Sequence, residues 1–114
     1  MHLLFVCGRN RLRSPTAEQV FNGICGVEVH SAGVNPDAEE PLSSELIEWA
    51  DIVFVMESSH RAKMVRQFSS ALRGKRIVCL GIADDYEYMQ PELIELLWDR
   101  VPRSVPALAA AKPA

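Results

Sequence analysis

The stretch CGRNRLRSPTAE spans residues 7–18 and directly follows the apolar run Leu3-Leu4-Phe5-Val6. A short apolar run that gives way to a polar turn, and then to apolar residues at helical spacing, predicts a β-strand leading into an α-helix. The backbone N–H groups of such a turn and the positive end of the helix dipole face one point in space. The stretch therefore predicts a loop that binds a phosphate-like dianion.

Two side chains of this loop carry chemistry. Cys7 stands at its base, where the same donors favour a thiolate that can attack a bound phosphorus atom. Arg13 supplies a planar guanidinium that matches two phosphoryl oxygens. Alone, Cys7 would more often be a small buried strand residue and Arg13 a surface charge. Found together in one loop, they favour a nucleophile and an anion-binding residue.

Two further residues of the stretch have alternative interpretations. Ser14 can cap the helix, hydrogen-bond the thiolate, or do both. Asn10 can adopt a left-handed backbone conformation, or its side chain can bond the loop to Ser31. Both alternatives give Asn10 a structural role in the loop.

The rest of the chain alternates between short aliphatic runs and segments with helical periodicity. Strands are expected at about 2–7, 27–31, 51–56 and 76–80, and helices at about 15–25, 43–49, 58–71 and 91–100. This alternation predicts an α/β fold, a doubly wound four-stranded parallel sheet with helices on both faces and the phosphate-binding loop after strand 1. Ligands of such sheets bind beyond the carboxyl ends of the strands, where Cys7, Glu57 and Asp84 are expected.

Composition restricts the class of protein. The 114 residues suit one domain at 1–101, and residues 102–114, with three prolines and five alanines, are expected to form a disordered tail. Three cysteines without a metal-ligand pattern suit a reducing cytoplasm, with neither metal nor cofactor expected. The net charge of −3 argues against nucleic acid as a partner, and no apolar run is long enough to span a membrane.

Cys7, Asn10, Arg13, Ser14 and Pro15 together resemble the signature that opens the low-molecular-weight protein tyrosine phosphatases. The resemblance extends to three later segments, Val29–Gly33, Ala50–Glu57 and Ala83–Tyr88, and so covers most of the chain before about Pro102. It implies a phosphomonoester hydrolase that acts through a cysteinyl-phosphate on a phosphorylated protein or a small aryl phosphate and releases inorganic phosphate.

The resemblance also implies roles for individual residues. Cys7, Arg13 and Asp84 are the expected catalytic residues, with Asp84 as the general acid and Asp85 as the alternative acid. Ser31 is expected to support the loop. Tyr86 can pack against the last helix or flank the substrate. The full set of expected substrate-binding residues is Gly8, Arg9, Asn10, Arg11, Leu12, Ser14 and Tyr86.

Several positions depart from the family pattern. Arg9 replaces the usual glycine before the asparagine, and Arg11 replaces an aliphatic residue of the pocket lining. Leu12 stands where many members carry a second, protective cysteine. Residues 34–44, the wall segment, correspond to the loop that forms one wall of the substrate pocket in the family, and they are fewer than usual. Asp84-Asp85-Tyr86 replaces the usual Asp-Pro-Tyr. A non-catalytic phosphate-binding module therefore stays open as an alternative, and so does an arsenate reductase, although Cys25 and Cys79 are poorly placed for its sulfur chemistry.

Overall fold

The computed structural model describes residues 1–113, in which four strands alternate with four helices. None of the helices in this range is long and apolar enough to cross a lipid bilayer. In chain order the elements are β1 His2–Cys7, α1 Arg13–Phe21, β2 Glu28–Gly33, α2 Ser44–Trp49, β3 Ile52–Val55, α3 Ser58–Phe68, β4 Arg76–Cys79 and α4 Pro91–Arg100. Short 3₁₀ segments lie at Ile24–Gly26, Val101–Arg103 and Pro106–Ala111.

The four strands form one parallel sheet in the order β2-β1-β3-β4, which confirms the expected fold class. The chain leaves β1 towards β2 on one side and later enters β3 on the other side. The carboxyl ends of β1 and β3 therefore flank the point where the winding direction reverses, which is where open α/β sheets bind ligands. Cys7 ends β1, and Glu57 follows β3 by two residues.

Two apolar clusters hold the layers together, one on each face of the sheet. Because successive strand residues point to opposite faces, Leu3 and Phe5 belong to the cluster with α1 and α4, whereas Leu4 and Val6 belong to the cluster with α2 and α3. The ring of Phe5 stacks on that of Phe54 at 4.9 Å between centroids. Burying one such side chain contributes about 1.5–3 kcal/mol, so β1 is anchored from both faces.

Helix α1 ends at Phe21, earlier than the sequence predicts. Asn22 is extended, with φ −61° and ψ 127°, and Gly23 is left-handed, with φ 84°. The amide oxygen of Asn22 accepts a hydrogen bond from the backbone N–H of Val29 at 3.0 Å. Asn22 therefore turns the chain out of the helix and ties the turn to β2.

The expectation of a disordered tail after residue 101 is wrong for the segment up to Ala111. Val105 and Leu108 are buried in the cluster under α1 and α4, and residues 106–111 contact the 3₁₀ turn at Ile24–Gly26. Val101, Val105 and Leu108 are all buried, although Val105 has a non-helical backbone between the two 3₁₀ segments. The domain therefore extends to about residue 111, while the end of the predicted tail, Ala114, lies outside the described residues.

Candidate active site

The turn between β1 and α1, residues 8–12, wraps around the sulfur of Cys7. The backbone N–H of Asn10 donates a hydrogen bond to Sγ at 3.2 Å. Asn10 has φ 57°, the left-handed conformation that was one of the two alternatives for this residue. Its Oδ1 accepts from the Ser14 hydroxyl at 2.9 Å, whereas the Ser31 hydroxyl donates to Glu18 instead. Ser31 therefore ties β2 to α1 and makes no side-chain hydrogen bond to Asn10, so its predicted support of the loop stays a prediction.

Ser14 lies in the first turn of α1, with its Oγ 2.8 Å from the sulfur of Cys7. The helix begins at Arg13, and the residue in the N-cap position, Leu12, offers no side-chain hydrogen bond. Of the two interpretations of Ser14, the structure therefore shows the thiol contact. A serine hydroxyl has one proton to donate. It can bond Asn10 while it accepts from a neutral thiol, and turn to the sulfur when the thiol ionises.

The wall segment after β2 is hydrogen-bonded to the start of the phosphate loop through the backbone. Three backbone N–H groups within residues 34–39 donate to the carbonyls of residues 7–9, each at an N···O distance of 3.0 Å. A Cβ atom added to Gly33 would lie 2.5 Å from the carbonyl oxygen of Gly8. Only glycine permits this close approach, which explains why β2 ends in Gly33.

Arg13 is buried beside the loop, and its hydrogen bonds leave one edge of the guanidinium available for a ligand. Nη1 donates to Glu57 Oε2 at 2.6 Å and to the carbonyl of Ile82 at 2.8 Å. These two bonds use both protons of Nη1. Nε lies 3.7 Å from Asp84 Oδ1, beyond hydrogen-bond length. The edge formed by Nε and Nη2 can therefore bind two oxygens of a phosphoryl group.

Glu57 and His60 form a reciprocal cap at the start of α3. The Glu57 carboxylate accepts from the backbone N–H of His60, and His60 Nδ1 accepts from the backbone N–H of Glu57 at 3.2 Å. Because Nδ1 acts as an acceptor, the ring proton of neutral His60 is on Nε2, which lies 3.6 Å from Glu57 Oε2. The cap fixes the carboxylate that holds Arg13.

Both residues of this cap have shifted pKa values. The hydrogen bond from Arg13 holds the pKa of Glu57 below its ordinary value of 4.5, although partial burial opposes the shift. Burial lowers the pKa of His60 below its ordinary value of 6.5, and the positive charge of Arg13 adds to the effect. At neutral pH the pair is therefore a carboxylate and a neutral imidazole.

This His60 shift predicts a pH dependence of stability. The unfolded chain binds a proton at His60 near pH 6.5, but the native chain binds it only at lower pH, so the stability is fully present above pH 6.5 and falls below it. One proton can contribute at most about 1.4 kcal/mol per pH unit. We expect His60→Gln, whose amide can preserve the cap, to flatten the slope of the unfolding free energy between pH 7.5 and 5.5 in urea titrations. An unchanged slope in this variant, equal to that of the control His30→Gln, would contradict the assignment.

A cavity of about 380 Å³ opens above the loop. It brings together most of the predicted site residues, namely Cys7, Gly8, Arg9, Arg11, Leu12, Arg13 and Asp84, and adds Asn35, Glu57 and His60. Asn10 and Ser14 are buried beneath it and act on the sulfur rather than on the opening. Sequence reasoning placed Glu57 at this edge of the sheet but assigned neither Asn35 nor His60 to the site. Asn35 follows the end of β2, so the expected sheet topology could have identified it.

The three residues of the expected acid loop differ in position. The side chain of Asp84 lines the cavity and is 67% exposed. Asp85 is exposed outside the cavity. Tyr86 packs against the core cluster that contains residues of α4 and does not line the cavity, and its predicted contact with substrate stays a prediction. This packing agrees with the other alternative for Tyr86 to the extent that the cluster includes Leu93 and Leu97 of α4.

The cations at the mouth of the loop each face a carboxylate of the wall segment. Arg9 Nε lies 3.3 Å from Asp37, and Arg11 Nε lies 3.4 Å from Glu39. All four side chains are more than half exposed, so each pair contributes at most about 1 kcal/mol. The pairs nevertheless cancel much of the positive charge that the sequence places on the loop.

Comparisons with known proteins agree with this geometry. Residues 2–71 match the model of the family described as low molecular weight phosphotyrosine protein phosphatase. A protein-arginine-phosphatase of Bacillus subtilis (strain 168) is 35% identical over 95 residues, covering 60% of this chain and 63% of that protein. The chain thus matches less than two thirds of the length of this relative.

Two solved structures extend the comparison over most of the chain. The YwlE arginine phosphatase, solved as a mutant with a phosphorylated active-site serine in place of cysteine, is 27% identical with a TM-score of 0.71, covering 93% of this chain and 96% of that one. The tyrosine phosphatase Wzb from Escherichia coli K30, in complex with phosphate, has a TM-score of 0.75 at 24% identity, covering 94% and 97%, and supports the fold alone. Because the family model matches more than half of the chain, the chain belongs to the low molecular weight phosphotyrosine protein phosphatase family.

Proposed function

We propose that this protein is a cysteine-dependent protein phosphatase that hydrolyses phosphomonoesters through a cysteinyl-phosphate intermediate. The observation that carries the proposal is the position of the Cys7 sulfur in the cavity, 2.8 Å from the Ser14 hydroxyl and 3.2 Å from the backbone nitrogen of Asn10. These groups can donate hydrogen bonds to a thiolate at this position, and Arg13 lines the same cavity with a guanidinium edge available. Membership of the family supports the same chemistry.

In the first step, the thiolate attacks phosphorus and the bond from phosphorus to the leaving oxygen breaks. Asp84, in its protonated form, gives its proton to that oxygen as it departs. The loop N–H groups and the Nε and Nη2 edge of Arg13 bind the three equatorial oxygens, whose negative charge they stabilise most strongly in the transition state. Arg13 bonds Glu57 and holds it as a carboxylate, and Asp84 is the other carboxyl that lines the cavity in the described part of the chain.

In the second step, water attacks the phosphorus of the cysteinyl-phosphate. The Asp84 carboxylate takes a proton from that water, the sulfur–phosphorus bond breaks, and inorganic phosphate leaves with the thiolate restored. The relative solved with a phosphorylated active-site serine supports a phosphoryl group on the side chain at this position. Asp84 therefore ends the cycle protonated, ready for the next substrate.

Phosphotyrosine is the proposed substrate class. The sulfur of Cys7 lies at the base of the cavity, where the long phosphoryl-aryl side chain reaches more easily than phosphoserine does. The arginine phosphatases among the relatives favour phosphoarginine as a second candidate. A phosphotyrosyl and a phosphoarginyl peptide of equal sequence, compared by kcat/KM, would decide between them.

The alternatives from other classes fit the structure less well. Cys25 and Cys79 are exposed and do not line the cavity, so neither is placed to take over sulfur chemistry from Cys7 as an arsenate reductase requires. A non-catalytic module would need neither a thiol nor an exposed acid at its phosphate site, and the cavity contains both. The two exposed thiols also suit the reducing cytoplasm in which we place the protein.

The direct test is hydrolysis of p-nitrophenyl phosphate by the purified protein. We expect turnover that needs no added metal and is inhibited competitively by vanadate, because vanadate adopts the trigonal bipyramidal geometry of the transition state that the loop binds. Arsenate-dependent oxidation of a thiol reductant, measured in parallel, tests the reductase alternative. A protein that binds phosphate but hydrolyses no aryl phosphate would be the non-catalytic module.

A further inference from the structure

The positive charge of the chain is concentrated in one region outside the phosphate loop. Residues 58–83 contain six cations and no aspartate or glutamate, whereas the remainder carries fifteen acidic and six basic residues. Within residues 1–113, none of the six cations lies within 4.0 Å of a carboxylate. The six are Arg61, Lys63, Arg66, Arg73, Lys75 and Arg76.

Two of these cations are neighbours on one flank of α3. Lys63 and Arg66 are three residues apart, so their side chains lie side by side on the helix surface, and both are exposed. Like charges at this spacing repel each other, and an anion bound between them would relieve the repulsion. They contrast with Arg9 and Arg11 of the phosphate loop, which each already face a carboxylate.

This flank is continuous with the active-site cavity. His60, in the first turn of α3, lines the cavity, and Lys63 Nζ donates at 3.0 Å to the Oδ1 of Asn35, which lines it as well. Arg66 lies six residues after His60, about 9 Å along the helix axis. An extended peptide advances about 3.3 Å per residue. Side chains up to about three positions from a phosphorylated residue in the cavity can therefore reach the flank.

We propose that Lys63 and Arg66 form a docking surface for acidic residues that flank the phosphorylated residue of a protein substrate. The proposal rests on the proposed phosphatase function and specifies its substrate class. The overall charge of −3 would disfavour such a substrate at long range, so the preference has to come from a local surface. The unpaired cations next to the cavity provide that surface.

The test compares kcat/KM for two phosphotyrosyl peptides, one with glutamates at the three positions on each side and one with glutamines there. We expect the wild-type protein to favour the acidic peptide about fivefold or more at low salt, and less as salt is added. The double variant Lys63→Gln, Arg66→Gln should lose most of this ratio. Arg73→Gln, which removes one charge in the turn after α3, is the control and should keep it.

The possible results distinguish a failure of the docking surface from a failure of the phosphatase function. A ratio near one in the wild-type protein, or equal losses in the double variant and in Arg73→Gln, would overturn the docking surface. Turnover of p-nitrophenyl phosphate is measured alongside, so its absence would reject the phosphatase function itself, whereas intact turnover without an acidic preference rejects only the docking. Binding of a short single-stranded DNA more tightly than the acidic peptide, lost in the double variant, would overturn the proposal in favour of a nucleic acid.

Discussion

Cys7→Ser is expected to abolish turnover of aryl phosphates while leaving anion binding intact. The serine hydroxyl is not ionised near neutral pH, and the two groups that hydrogen-bond at this position, the Ser14 hydroxyl and the backbone N–H of Asn10, cannot act as general bases. The N–H groups of residues 8–12 and the guanidinium of Arg13 remain in place. We expect a loss of about 10⁴-fold or more in kcat, with inorganic phosphate still binding in an NMR titration.

The matched control for this variant is Cys25→Ser. Cys25 is exposed in the 3₁₀ turn after α1 and does not line the cavity, so the same chemical change there should leave kcat near the wild-type value. Stoichiometric phosphorylation of the new serine in Cys7→Ser would agree with attack at this position. Sustained turnover by Cys7→Ser would rule out the covalent mechanism.

The parts of the site that could be predicted from sequence are those built from contiguous residues. Cys7, Asn10, Arg13 and Ser14 lie within one turn and the helix start that follows it, so their spacing alone determines their mutual positions. The sheet was predictable for a similar reason, because short aliphatic strands alternating with helices leave few parallel topologies open.

The residues that sequence reasoning missed depend on contacts between separate segments. From sequence, His60 is an ordinary residue at the start of a helix. It is recognised as a site residue only when β3 pairs with β1, because this pairing brings the start of α3 next to the phosphate loop. The position of Tyr86 against the core cluster depends on the path of an irregular loop that no periodicity predicts. The segment after residue 101 is rich in proline and alanine and has few large apolar residues, so composition does not predict that Val105 and Leu108 pack into the core.

Asp84→Asn is expected to reduce the reaction with poor leaving groups far more than the reaction with good ones. p-Nitrophenolate leaves readily without a proton, whereas phenolate or tyrosinate needs one from the acid. Asparagine keeps the size of the side chain but has no proton of suitable acidity. We expect kcat/KM to fall about a hundredfold or more for phenyl phosphate and much less for p-nitrophenyl phosphate.

The comparison must isolate the first chemical step, since slow hydrolysis of the cysteinyl-phosphate would equalise the overall turnover of the two substrates. Single-turnover rates or kcat/KM satisfy this condition. The matched control is Asp85→Asn, one residue away and equally charged but outside the cavity, which should leave the ratio of the two substrates near its wild-type value. A leaving-group-dependent loss in Asp85→Asn and none in Asp84→Asn would exchange their roles. If neither variant showed it, Asp84 would not be the proton donor, and the assignment of the acid to this loop would be wrong.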